Sequence, residues 1–249
     1  MVELKKRWLI WVISALLAFS AGLLANFPAS IAYEAVRMQL PSQLTKLIGD
    51  VDGSVWNGQS TVTDEILSST INWELKPVDR LFGGYGLILH IHDVDHDLRV
   101  KFDPEGNNNG RLQISGTISK ELLNRQLAQF GVKVDQGIVI DSVVASLRDS
   151  QFSDVGGSVL WKGGRVSYTS SGTKTVQMPE LKGLLSSAGD TLNLEVVKSG
   201  SSKPISIVTF QSNGWIGVEV KQEMGSLIML PNRRVNRAGN VMEIKRKIY

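Results

Sequence analysis

Asp50-Val51-Asp52-Gly53-Ser54-Val55-Trp56-Asn57-Gly58-Gln59, followed by Ile71-Asn72-Trp73-Glu74-Leu75-Lys76-Pro77, decides the fold class. Val51, Gly53 and Val55 alternate with Asp52, Ser54 and Trp56, the period of a half-buried strand. Gly53 and Gly58 flank the first tryptophan. Glycine inside a strand marks a bulge or a close backbone approach, and this pair leaves room for the Trp56 indole to fold over a sheet. Thr61-Val62-Thr63 and Thr70–Trp73 continue as strands, and Pro77, which has no N–H for a ladder, ends the second. The pattern returns at Asp154-Val155-Gly156-Gly157-Ser158-Val159-Leu160-Trp161-Lys162-Gly163-Gly164. Gly156-Gly157 and Gly163-Gly164 read as hairpin glycines. Trp56 and Trp161 are therefore expected at equivalent places in two related halves, about 50–150 and 151–249.

Outward from this stretch the signals remain mainly β. Strands are expected over Tyr85–His92, His96–Phe102, Arg111–Ile118, Ile138–Leu147, Ser158–Trp161, Arg165–Thr169, Leu192–Val197, Ile205–Gln211, Trp215–Lys221 and Ser226–Leu230. Glu105–Gly110 reads as a hairpin tip. Two short helices interrupt the strands. Ser119 can cap Lys120–Phe130, with Leu122, Leu123, Leu127 and Phe130 on one side and Gly131 as its stop. Pro179–Ser186 is expected to be helical, with Leu181, Leu184 and Leu185 inward. Val78–Phe82 fits one helical turn begun by Pro77.

Trp8–Phe27 is an uncharged run of 20 residues. Crossing a bilayer core takes roughly 20 apolar residues. Lys5, Lys6 and Arg7 precede it, so the N-terminus is expected in the cytoplasm and the body on the far side. The rival is a cleavable signal peptide ending at Ser30-Ile31-Ala32, but the apolar run is longer than such a segment needs. The expected organisation is a cytoplasmic tail over 1–7, a membrane helix over 8–27, a stalk over 28–49 and one β-rich domain over 50–249. In the stalk, Ala29–Leu40 reads as a helix. Leu44, Leu47 and Ile48 share a face of a further turn that Gly49 ends.

The chain carries 27 Lys and Arg against 24 Asp and Glu. The excess lies at the termini, and acidic side chains outnumber basic ones over 28–231. Nothing builds a phosphate-tracking groove, which argues against nucleic acid as a partner. The basic tail, with Arg233, Arg234 and Arg237, reads either as a solvated terminus or as a contact for anionic lipid or an acidic partner. There is no cysteine, which excludes thiol catalysis, Cys-ligated zinc, Fe–S clusters and lipoprotein acylation.

Every histidine lies in His90-Ile91-His92-Asp93-Val94-Asp95-His96-Asp97. Histidines with acids are ligand chemistry, but no later histidine completes a metal site. The plain reading turns Leu87, Leu89 and Ile91 inward, His90 and His92 to water, and Asp93–Asp97 into a polar turn. No nucleophile elbow, phosphate loop or dinucleotide fingerprint is present. Trp56, Trp73 and Trp161 are expected in the core. Trp215, in Asn213-Gly214-Trp215-Ile216-Gly217, is the candidate for a partner surface.

Val51-Asp52-Gly53-Ser54-Val55-Trp56-Asn57-Gly58, then Trp73-Glu74-Leu75-Lys76-Pro77-Val78-Asp79-Arg80-Leu81-Phe82-Gly83, behind a short tail and one anchor, resembles the type II secretion system protein N family. Gly157-Ser158-Val159-Leu160-Trp161-Lys162-Gly163-Gly164 agrees with it. The resemblance makes Gly53, Val55, Trp56, Gly58, Trp73, Pro77, Leu81, Gly157, Trp161 and Gly164 structural motif residues. It implies a single-pass inner-membrane component with a curled antiparallel, β-rich periplasmic body and no enzyme activity or cofactor. The implied role is a scaffold for protein export in a Gram-negative envelope, with other secretion subunits, the membrane and a second copy of the chain as possible partners. The β-rich body is also similar to AsmA-like envelope proteins, whose curled sheets form grooves for lipid. A packed inner sheet face favours the scaffold, and an open apolar face at least one acyl chain long favours lipid.

Overall fold

The computed structural model describes residues 19–20, 22–23, 26–39, 42–63, 68–77, 85–105, 109–148, 151–169, 172–211, 213–228 and 239–247. Most of the expected membrane helix, Trp8–Phe27, lies outside these residues. So do Leu81 with the turn expected at 78–82, and Arg233, Arg234 and Arg237. Among the described residues no helix is long and apolar enough to cross a membrane. The chain divides into two compact units: Met1–Lys76 with Leu87–Leu89, and Pro77–Gly86 with His90–Tyr249.

The first unit begins its described core with α1 (Ala29–Arg37), entered through Pro28, whose fixed φ suits a helix start. After α2 (Ser42–Leu47) come β1 (Ile48–Gly53), β2 (Asn57–Thr63) and β3 (Ser68–Pro77), antiparallel in that order. α1 packs against β1. Ile48 and Gly49 belong to β1, not to a helical turn, so the second stalk helix stops at Leu47. β1 and β2 join in a tight turn closed by the Gly53–Gly58 pair and by a bond from the Ser54 amide to the Asn57 carbonyl at 2.9 Å.

The second unit holds most of the sheet. β4 (Tyr85–Asp93) gives it His90 onward. β5 (His96–Pro104), β6 (Gly110–Ile118), β8 (Ile138–Arg148), β9 (Gln151–Trp161), β12 (Leu181–Ala188), β13 (Thr191–Lys198), β14 (Pro204–Gln211), β15 (Trp215–Lys221) and β16 (Asn240–Lys247) follow in this order across the sheet. From β5 to β16 each neighbouring pair is antiparallel. β7 (Val132–Val134), β10 (Gly164–Thr169) and β11 (Thr173–Met178) form a small separate sheet.

The capped helix is present as α3 (Lys120–Leu127). Ser119 Oγ accepts from the Leu122 amide at 3.2 Å, and Gly131 closes the end in the left-handed conformation. Phe130 does not join the apolar side. The last residues tighten into a 3-10 turn that leaves Phe130 66% exposed. Asn124 fixes α3 to β7: its side chain donates to the Val134 carbonyl at 2.9 Å and accepts from the Val134 amide at 2.8 Å.

Two expected elements exchange type. Residues 181–188 form strand β12, not a helix. Leu181, Gly183, Leu185 and Ser187 are half-buried, while Lys182, Leu184, Ser186 and Ala188 are exposed, so the period is two. β12 pairs with β9 on one side and β13 on the other, and this ladder overrides helical leucine spacing that Gly183 already weakens. Of the strand expected at 226–230, Ser226 and Leu227 belong instead to α4 (Gln222–Leu227), and 229–230 lie outside the described residues. Glu223 in its first turn suits the positive helix end and meets Lys198 Nζ at 2.5 Å.

The two tryptophan motifs are not structurally equivalent. Trp56 lies in the bend between β1 and β2, whereas Trp161 is the last residue of β9. β9 pairs with β8 and β12, and at Lys162-Gly163 the chain leaves the large sheet for β10 of the small one. Gly163 and Gly164 therefore mark a crossing between sheets, not a hairpin. Gly157 sits in mid-strand, paired with Val143 and Leu185. The shared letters serve different needs: Gly58 makes room for an indole, whereas Gly157 lies against the Ser142–Val143 backbone.

Candidate functional site

The register of the second unit sorts its residues into two faces, because directly paired residues in antiparallel strands share a face. One row runs Val100, Ile114, Val143, Gly157, Leu185, Leu194, Val208, Val218, Ile244 from β5 to β16. Every side chain in it is aliphatic, and Gly157 is the one gap. A second row on that face includes Leu98, Ile140, Val159, Val196, Val220 and Met242.

The reverse face reads Lys101, Gln113, Val144, Gly156, Ser186, Asn193, Thr209, Gly217, Lys245 through the same strands. It is polar except at Val144. Such a contrast is what a sheet with one solvated face presents. The apolar face of a globular sheet is normally covered by a second layer.

None of the eight aliphatic side chains in the first row is buried, and Ile244 is 48% exposed. Single buried apolar residues lie on β8 (Ala145) and β13 (Val197), and four more gather at one end. Val176, Met178, Ile205 and Val220 belong to β11, β14 and β15, the strands that α4 touches along with β16. Ile205 is the largest fully buried side chain among the described residues. Tyr168 adds to this end by donating its hydroxyl to the Ile228 carbonyl just past α4. Over the middle of the apolar face, no described helix makes a broad contact with β6, β8, β9, β12 or β13.

The first unit has an apolar hollow of its own. A cavity of about 320 Å³ lies between α1 and β1–β3, lined by Ala32, Tyr33, Val51, Val55, Ile71 and Trp73 among others. The Tyr33 hydroxyl is buried without a hydrogen-bond partner among the described residues.

Of the residues singled out from the sequence, Gly53, Gly58 and Trp73 come together. Gly58 pairs with Trp73. A Cβ on Gly58 would stand 2.3 Å from Trp73 Cζ2, so the indole that folds over the strand is Trp73, not Trp56. Trp73 Nε1 donates to the Ser54 carbonyl at 3.2 Å and closes the turn. Val55 and Trp56 hold the turn from outside: the Val55 amide donates to the Phe27 carbonyl at 3.0 Å, and the Trp56 carbonyl accepts from the Leu75 amide at 2.7 Å. Pro77 ends β3. Trp161 Nε1 donates to the Gln136 carbonyl at 3.1 Å. None of Trp56, Trp73 and Trp161 reaches full burial; all three are half-buried. Trp215 is 42% exposed on the polar face.

The histidines separate. His90 is exposed and meets Asp97 across the β4–β5 turn at 2.6 Å, with the His92 ring 4.9 Å away. His96 does not lie in the polar turn: it opens β5 and is 5% exposed. Asp95 is likewise more than a turn residue. It receives the Ser119 hydroxyl at 3.2 Å and Arg125 at 2.5 Å, tying the turn to α3. No three His, Asp or Glu among the described residues stand where they could hold a metal ion.

Sequence reading missed one polar cluster, on β15–β16. Glu219 accepts from Lys221 at 2.9 Å and from Asn240 at 3.1 Å. The Lys221 hydrogen bond, with smaller help from Asn240, holds the Glu219 carboxyl below the usual carboxylate range against the opposing effect of burial. Only the alternation of Glu219 and Lys221 hinted at it; Asn240 is too distant in sequence. No family model matches the chain, and neither a curated protein nor a solved structure matches it.

Proposed function

We propose that this chain is a membrane-tethered envelope protein that works by binding, and that lipid acyl chains are the ligand of its sheet. The observation that carries the reading is the part of the aliphatic row from Val100 to Leu194, on strands that no described helix contacts broadly before α4 meets β14–β16. The six strands from β5 to β13 lie about 4.8 Å apart and span roughly 24 Å. One leaflet of bilayer hydrocarbon is about 15 Å thick, so the face exceeds the length of an acyl chain. Covering it gains about 25 cal/mol per Å² of apolar area removed from water. A flexible hydrocarbon chain can lie along such a face without directional contacts, while the polar reverse face stays in water. The uncharged run Trp8–Phe27 behind Lys5, Lys6 and Arg7 would hold the body beside the bilayer that supplies the lipid. The body is then periplasmic, at the cell inner membrane, as in the AsmA-like comparison.

The test is purification of the full chain in mild detergent, followed by lipid extraction and mass spectrometry. Phospholipid in fixed stoichiometry is expected, lost when Leu194 and Val208 are both changed to Glu. A folded, lipid-free protein would contradict the reading.

A scaffold subunit of the type II secretion apparatus is the second reading, favoured by the hairpin that joins Gly53, Gly58 and Trp73 as one built unit. Its partners would be other secretion subunits, meeting β16, the last strand of the sheet, by strand addition. In-cell crosslinking from Lys247 tests it: a secretion subunit is expected, and crosslinks to none would contradict it.

A further inference from the structure

The polar row lacks a side chain at Gly156 and at Gly217, and a cavity is lined by the second. Thr209 and Lys245 pair with Gly217 from either side. Trp215 and Glu219 are its same-face neighbours along β15, and Glu243 stands opposite Glu219. Gly217 is thus the centre of a three-strand patch and carries no side chain. A Cβ placed there would meet only Thr209 Cβ within 4 Å, at 3.7 Å. The space is a cavity of about 270 Å³ that reaches Gln211.

We propose that this cavity binds one hexopyranose ring of a carbohydrate, stacked on Trp215 over Gly217. The C–H face of a pyranose is flat and apolar and suits an indole wall. The ring's hydroxyls are both donors and acceptors. Around the gap stand two carboxylates, an ammonium, an amide and a hydroxyl, which supply the complementary set. The main rival is a lysine or arginine side chain of a peptide, and charge decides against it. Glu219 already holds Lys221 at 2.9 Å and Glu243 holds Lys245 at 3.1 Å, so the patch offers a cation no net negative charge. A neutral ligand loses nothing by that balance. The site lies on the face opposite the aliphatic row and does not depend on the lipid reading.

Saturation-transfer NMR on the full chain, in a detergent without a sugar head group, tests this. The probes are chitotetraose, cellotetraose, their free monosaccharides and a tetralysine peptide. Saturation of the ring C–H protons is expected for at least one saccharide. Binding of the monosaccharide as well would mark a free sugar as the source; binding of the oligomer alone would mark a glycan chain. Gly217→Val fills the gap with a good strand former whose Cβ meets nothing closer than 3.7 Å. It and Trp215→Ala should each weaken binding about tenfold or more. Absence of transfer to every saccharide, equal transfer in both variants, or transfer to tetralysine alone would overturn the proposal.

Discussion

Trp73 and Gly58 face each other across β2 and β3, and the indole occupies the space that a side chain at position 58 would need. The same indole reaches Ser54 through its N–H. One strand residue therefore packs on the hairpin and also fastens its turn.

Gly58→Ala is expected to destabilise the protein by about 1–3 kcal/mol. The new Cβ would also stand 2.4 Å from the Asp52 carbonyl oxygen, and backbone yields less readily than a side chain. Denaturant unfolding followed by tryptophan fluorescence checks this. An unchanged midpoint would mean that the indole moves aside freely.

The histidines should differ in consequence. His90→Ala should change stability by less than about 0.5 kcal/mol, the usual result at an exposed site, and His92→Ala, at a half-buried one, should cost more. His96→Ala should cost about 1–3 kcal/mol, because His96 is 5% exposed. Thermal unfolding of the three variants separates them.

Most strand positions were legible where side chains alternate, though β7 and β11 were not expected, and the Ser119 cap announced α3 correctly. Residues 181–188 misled because Leu181, Leu184 and Leu185 fit a helix locally, while pairing with β9 and β13 is decided by distant residues. Trp56 and Trp161 misled because motif letters do not state which strand comes next. The candidate site was legible only in pieces. Each strand shows one aliphatic side, but the continuous row from Val100 to Ile244 needs the register of the whole sheet. Gly217 at the centre of its patch was invisible for the same reason.

Ser119→Ala removes the cap of α3 and should cost about 1 kcal/mol. Asp95→Ala should cost more, since Asp95 holds both Ser119 and Arg125. If the two variants unfold alike, the Arg125 contact contributes nothing.

Glu219 should give acid sensitivity. Its carboxyl is held below the usual range mainly by Lys221, so the native state favours the ionised form. That stabilisation is present above the ordinary glutamate range and fades as pH falls toward the folded value. It is modest because the side chain is 35% exposed. Glu219→Gln should lower stability at pH 7 and converge on the wild type in acid. Parallel pH profiles would contradict the assignment.

Leu194 and Asn193 are consecutive in β13 and belong to opposite faces. A photoreactive phenylalanine analogue at each, activated in intact cells, compares the two faces at one place in the fold. Phospholipid adducts from position 194, and few or none from 193, are the predicted result. Equal lipid adducts from both positions, or only protein adducts from 194, would contradict a lipid-binding face.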